Sequence, residues 1–286
     1  MSGAVVVVGD VMVDVVAVPE GPIARGTDTP SQVQTTGGGS AANTACWLAQ
    51  LGAPVRLVAA VGDDELGRSA RSALDELGVE FAGPVDGKVP TGICVVLIDD
   101  TGERTMLPDR GANEELSPAL VEAAIDPDVA WVHVSGYALL GAGSRPAAQA
   151  AIAAARRLGV PWSVDAASAA PLGAAGATRF LQWIDGCMVL FANEDELAVL
   201  GGTHAALARA DEVVLKLGPA GARWTDGTGS ASSPAAPATV VDTIGAGDAF
   251  AAGFLAARLQ GSDRAASLHG GAGAAAQAVS QRGARP

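Results

Sequence analysis

The sequence predicts an α/β protein, a three-layer sandwich in which helices cover both faces of a mostly parallel sheet. Three observations carry this. Residues 4–8 hold an unbroken valine run closed by Gly9-Asp10, the pattern of a strand buried on both faces. Beyond it strand-like and helix-like segments alternate, and each strand followed by a crossover helix predicts a right-handed βαβ unit. The third is bulk: 286 residues with 49% apolar composition can bury a sizeable core, as one large domain or two small ones.

The elements follow in order. Residues 15–36 contain Pro19, Gly21, Pro22, Gly26 and Pro30 among short alternating pieces, so they read as strands and turns outside the helical layer. Gly37 to Gly39 lead into a helix over 40–50, capped by Ser40 and turning Ala45, Trp47, Leu48 and Leu51 inward, with Asn43 in its first turn. A strand over 55–61 and an amphipathic helix over 65–77 continue the rhythm. A hairpin over 90–107, turning at Asp99-Asp100-Thr101-Gly102, interrupts it with antiparallel strands. Alternation resumes with helix 118–125, strand 130–134, helix 145–158, strand 161–164 ending in Asp165, and strand 187–191. The acid-rich stretch Asn193-Glu194-Asp195-Glu196 opens a helix, where carboxylates satisfy the dipole. A strand over 212–217 runs into the glycine turn Gly218-Pro219-Ala220-Gly221, residues 227–237 are loop with short strands, and a helix over 265–280 closes the chain.

The charge balance excludes some partners. Thirty-one acidic against eighteen basic residues give a net charge of −13, which disfavours nucleic acid and anionic membranes, whose affinity needs clustered Lys and Arg. No apolar run approaches about eighteen residues, and Met1-Ser2-Gly3 lacks a basic leader, so a cytoplasmic protein is expected. Cys46, Cys94 and Cys187 form no CxxC and read as buried thiols.

The chemistry concentrates in Asp242-Thr243-Ile244-Gly245-Ala246-Gly247-Asp248-Ala249-Phe250. Backbone N–H groups of Gly245, Ala246 and Gly247 at a helix N-terminus make an anion hole. A carboxylate in the same turn repels an anion, but it fits if Asp248 takes a proton from a hydroxyl attacking a phosphate. No GxGxxG follows the first strand and no GxxxxGK[ST] occurs, which removes the dinucleotide and P-loop readings.

This stretch resembles the C-terminal signature of the ribokinase-like (PfkB) carbohydrate kinases. Gly37-Gly38-Gly39-Ser40-Ala41-Ala42-Asn43, running to Leu51-Gly52, resembles their N-terminal signature. The resemblance covers nearly the whole chain and implies a single domain over 1–286, a ribokinase-like α/β/α sandwich with a small β lid built from segments 15–36 and 88–111. It implies an ATP- and Mg2+-dependent kinase acting on a small sugar-like substrate, with Asp248 as base. Asp14, Gly38, Gly39 and Asn43 would hold the acceptor. Asn193 and Glu196, matching an N-x-x-E motif, would order magnesium waters, and the Gly218–Gly221 turn would flank the nucleotide, beside Lys216, which stands where many members carry Thr. Asp242 with the carbonyls of Ile244, Ala278, Gln281 and Gly283 resembles the family's K+ site, weakened because the chain stops at Pro286 where longer relatives supply another oxygen.

From the residues alone, Asp14 reads equally as a solvated carboxylate at a strand end, Arg104 and Arg110 as surface charges, and Lys216 as either phosphate-reaching or solvent-facing. Ribokinases proper carry Asn, Lys and Glu where Met12, Ser40 and Ser135 stand. With three polar partners missing, ribose is not the expected acceptor. Arg104 and Arg110 suit a carboxylate, as lid arginines do in ketodeoxygluconate kinases, and the lid segments hold no aromatic ring to clamp a base. The expectation is a hexose or sugar acid phosphorylated on a primary hydroxyl. A nucleoside kinase, a ribokinase or a non-catalytic ligand sensor on the same fold are the alternatives. Unpaired lid edges predict a homodimer pairing lid to lid.

Overall fold

The computed structural model describes residues 3–100 and 102–286; Met1 and Ser2, at the start read as leaderless, and Thr101, in the predicted hairpin turn, lie outside the described residues. The chain opens with β1 (Val5–Val8), β2 (Met12–Pro19), β3 (Ser31–Gly38) and α1 (Ser40–Gln50). Then come β4 (Val55–Val58), β5 (Val61–Gly62), α2 (Glu65–Glu76), β6 (Glu80–Phe81), β7 (Val85–Asp86), β8 (Gly92–Ile98) and β9 (Arg104–Asp109). The middle holds α3 (Pro118–Ala123), β10 (Trp131–Ser135), α4 (Gly136–Leu140), α5 (Arg145–Leu158), β11 (Trp162–Asp165), α6 (Ala169–Ala175), α7 (Ala177–Trp183) and β12 (Cys187–Asn193). The last third holds α8 (Glu194–Val199), α9 (Thr203–Leu207), β13 (Ala210–Lys216), β14 (Ala222–Thr225), β15 (Ser230–Ser233), α10 (Ala246–Leu259) and α11 (Arg264–Val279).

The large sheet runs β15-β14-β13-β12-β11-β10-β1-β4-β6. From β13 to β6 every pairing is parallel, and only β14 and β15 run antiparallel at one edge. This is the expected doubly wound sandwich. The valine run shows why the sequence folds this way. Val5 and Val7 point into the core under α1, α10 and α11, while Val6 and Val8 point into the opposite core under α3 and α5. All four are fully buried, each contributing roughly 1.5–3 kcal/mol that an alternating apolar–polar strand would contribute only at every second residue.

A second sheet, ordered β3-β2-β8-β9, stands outside the layers. It coincides with the segments expected to leave the α/β alternation, and its edge strand β3 is exposed over Ser31–Thr35. The expected strand over 55–61 divides at Ala59-Ala60. There β5 leaves the large sheet to pair with β7, and Thr91 Oγ1 accepts from the Gly62 N–H at 3.0 Å. Ser40 is not the cap of α1. Gly39 takes that place at φ +93°, a position where a Cβ would lie 2.6 Å from the Asp10 carbonyl, so only glycine fits. At the other end of the chain α10 and α11 pack closely through Gly253, whose missing Cβ leaves room for the Gly270 carbonyl and for Ala274. That contact seats α10 against the sheet with its first turn at the carboxyl ends of the parallel strands. Cys46, Cys94 and Cys187 are buried and free. Among the described residues no helix is long and apolar enough to cross a membrane.

Candidate active site

Parallel strands end where chains must turn into helices, and polar groups collect there. Asp10 follows β1, Asp165 ends β11, Asn193 ends β12 and Lys216 ends β13, and all four line one cavity of about 580 Å³. The first turn of α10 forms its floor, and Cys94, Met106 and Pro108 of the second sheet face it from above. A second cavity of about 520 Å³ is walled mainly by Ala235, Ala236, Val240, Phe250, Ala276 and Val279. The two share Lys216, Gly218, Thr243, Ala246 and Gly247. They therefore make one groove, polar and acidic at one end and apolar at the other.

The geometry of the junction suits an anion. Gly245 caps α10 at φ +74°, and a Cβ there would meet Ala284 at 2.7 Å. The first N–H groups of α10 have no partner within the helix and, with its dipole, attract negative charge. Lys216 reinforces this. Its Nζ is 2.6 Å from Asp165 Oδ2 and lies over Gly247. Burial opposes its charge, but Asp165 and Glu196 outweigh that and raise its pKa. Lys216 therefore stays a cation facing the groove.

Asp248 sits in that first turn. Its Oδ1 accepts from Ser40 Oγ at 2.8 Å and its Oδ2 from Asn43 Nδ2 at 2.9 Å. Burial pushes its pKa from 3.8 up to about 7, with Asp165 adding to the rise and Asn43, Ser40 and Lys216 opposing it. Asn43 is oriented from behind by Arg285, whose Nε lies 3.3 Å from Asn43 Oδ1 and whose Nη2 donates to the Gly38 carbonyl at 2.7 Å. Asp14 is 5% exposed and lies against Gly38, where any Cβ would collide with its carboxyl group. Burial raises its pKa to about 6, against the pull of Arg285.

The remaining expected residues divide. Asn193 and Glu196 close a reciprocal cap on α8: Asn193 Oδ1 accepts from the Glu196 N–H, and Glu196 accepts from the Asn193 N–H and Nδ2, each at 2.8 Å. Both still line the cavity. Gly218 and Gly221 border the second cavity. Arg110 lines the first, with Nε on Glu114 Oε1 at 2.7 Å and a buried Nη2 that has no hydrogen-bond partner among the described residues. Arg104, expected at the acceptor, lies elsewhere. Its Nη2 is 2.9 Å from Asp242 Oδ1 and its Nη1 donates to Thr243 Oγ1 at 2.6 Å, because β9 brings it down onto the loop before Gly245. Asp242, Ala278, Gln281 and Gly283 border neither cavity, and only Ile244 of the expected cation set does.

Sequence reasoning missed Asp10, Asp165 and Tyr137, which line the first cavity, and Arg285 behind Asn43. Asp165 carried a faint signal as a carboxylate at a strand end. Arg285 carried none, since its partners lie some 240 residues away.

The family model described as pfkB family carbohydrate kinase matches residues 3–286. Over 270 residues the chain is 34% identical to the ATP-dependent ribose-1-phosphate kinase of Halopiger xanaduensis, covering 92% of this chain and 87% of that one. It is 30% identical to the ribokinase of Arabidopsis thaliana over 302 residues, covering 98% and 77%. The structure of adenosine kinase from Sinorhizobium meliloti superposes with a TM-score of 0.89 at 26% identity, covering 100% of this chain and 96% of that one. With that match from end to end, and both glycine signatures meeting at one carboxylate, the chain belongs to the pfkB family of carbohydrate kinases.

Proposed function

We propose that this kinase transfers the γ-phosphate of ATP to a primary hydroxyl of a small sugar bearing an anionic group, with Asp248 as general base. The observation that carries the reading is the position of Asp248, at the anion site and gripped by Ser40 and Asn43, with a pKa near neutrality. A base whose pKa lies near the working pH combines availability with proton affinity. The acceptor oxygen gives its proton to Asp248 as it bonds to phosphorus; the bond from phosphorus to the bridging oxygen breaks and its electron pair leaves with ADP. The N–H groups of Gly245 to Gly247 and the Lys216 ammonium meet the charge spreading over the equatorial oxygens.

The apolar cavity suits the nucleotide base, and the Gly218–Gly221 turn suits the passage of its phosphates past Lys216. Among the described residues no cluster of three or more His, Cys, Asp or Glu is arranged to hold a metal. Asp165, Asn193 and Glu196 fit a Mg2+ that binds through water and phosphate instead, where it would neutralise phosphate charge. Asp14, Gly39 and Asn43 lie on the acceptor side, with Gly38 behind them. The second sheet acts as the lid that excludes water. Arg110, with a free buried N–H in the acceptor cavity, fits a carboxylate or phosphate. The likeness to a ribose-1-phosphate kinase supports an anionic sugar.

Asp248→Asn keeps the size and removes the basicity, so kcat should fall by roughly two to four orders of magnitude while nucleotide still binds. A variant keeping most of its kcat would remove Asp248 from the role. An acceptor panel of ribose 1-phosphate, a ketodeoxy sugar acid, fructose, ribose and adenosine tests the pocket. The anionic sugars should lead in kcat/KM, and Arg110→Met should cost them about tenfold or more while sparing neutral acceptors. Adenosine or ribose in the lead would overturn that assignment. The exposed edge β3, with Val33 62% and Leu107 55% exposed on the lid, supports a homodimer through this sheet. Light scattering at micromolar concentration should return twice the chain mass, and a monomer mass refutes the pairing.

A further inference from the structure

We propose that Arg104 takes the place of a bound monovalent cation at the loop leading into the anion site, and so fixes that loop while tying the lid to it. The cation set implied by the resemblance does not fit a free ion here. Asp242 Oδ1 accepts from the Ile244 N–H at 3.0 Å and from Arg104 Nη2 at 2.9 Å, and its Oδ2 accepts from the Gly283 N–H at 3.1 Å. The Ala278 carbonyl accepts from the turn that ends α11. A guanidinium on this carboxylate cancels the charge that would draw an ion and repels any ion that approaches.

Arg104 supplies what a cation at this carboxylate would supply, a positive charge against Asp242 at the start of the phosphate-binding turn. It also does more than an ion. Its second nitrogen holds Thr243 Oγ1, two residues before Gly245. Its own backbone lies on β9, the strand that carries Met106 and Pro108 into the cavity wall. Asp242 in turn ties to the segment after α11 through Gly283. One side chain thus joins the lid, the anion-site loop and the C-terminal segment. The pair is largely shielded, at 26% exposure for the Arg104 side chain and 16% for Asp242, so bulk salt screens it less than a surface pair. Arg104 is a positioning residue, since it touches neither cavity.

The inference rests on the kinase reading, so the test pairs turnover with a measurement that needs none. Rates and melting temperatures are taken in KCl, NaCl and tetramethylammonium chloride at equal ionic strength. The wild-type chain should show equal rates within about twofold, and equal melting temperatures, because its positive charge is covalent. Arg104→Gln keeps a donor for Thr243 and loses the charge. It should lose on the order of tenfold in kcat, recover part of it in KCl but not in tetramethylammonium, and melt higher in KCl. Arg104→Lys should restore most of the rate in all three salts. A wild-type chain activated or stabilised by K+ overturns the inference, as does an Arg104→Gln variant that keeps full kcat or whose loss no cation recovers. Should the variant fail to fold, the wild-type comparison decides alone. If no acceptor is phosphorylated, the melting temperatures still decide it, which separates its failure from that of the kinase reading.

Discussion

The carboxylate of Asp248 is held by two side chains from a helix that begins more than two hundred residues earlier, and the remaining architecture serves that meeting. Helices α1 and α10 lie on the same face of the sheet and share one core. Each starts at a glycine with positive φ, Gly39 at +93° and Gly245 at +74°, each forced by backbone or side chain where a Cβ would sit. Their first turns therefore converge, and Ser40 and Asn43 reach Asp248. Two hydrogen bonds and a nearby ammonium favour the ionised form, yet burial prevails and leaves the pKa about 7 against 3.8. Relative to water, the site favours the neutral acid by roughly 4 kcal/mol more. Because the folded value lies above the unfolded one, this group's contribution to stability is complete below pH ~4 and is lost as pH rises toward 7. Once ionised, this carboxylate is a cost that packing elsewhere offsets.

An acidic protein that handles phosphates must concentrate its few cations. The net charge is −13, but Lys216, Arg104, Arg110 and Arg285 all point inward around the groove or the turns that shape it. Three of them have carboxylate partners: Asp165 holds Lys216 over the first turn of α10, Asp242 holds Arg104 beside it, and Glu114 holds Arg110. Arg285 pulls on Asn43 and Gly38 and faces Asp14, so the last residues of the chain brace the first glycine turn. The field at the transferred phosphate is thus local, and the overall charge says little about it.

Much of this was legible in the sequence, because much of it is local. The valine run announces a strand buried on both faces, and Gly245-Ala246-Gly247-Asp248 announces a glycine-started helix with a carboxylate in its first turn. Helix α5 appears at its predicted bounds because its apolar positions repeat with helical period. The short helices α4, α6, α7 and α9 span too few residues to show a period. Ser40 read as a cap because its residue type caps helices; only the approach of Asp10 to Gly39 shows that the cap lies one residue earlier. Arg104 read as an acceptor ligand because lid arginines take that role in ketodeoxygluconate kinases. Which carboxylate an arginine finds depends on how far β9 reaches over the loop after Val241, and no spacing in the chain encodes that distance.

The central claim is that burial, opposed by Ser40 and Asn43, sets Asp248 as a base near neutrality. The most direct test is the pH dependence of kcat/KM for the wild-type chain and for Ser40→Ala. The account predicts a rising limb with an apparent pKa near 7 in the wild type, displaced upward in Ser40→Ala, because the lost hydrogen bond favoured the carboxylate. A limb at the ordinary carboxylate value, or one that stays in place when Ser40 loses its hydroxyl, would contradict it.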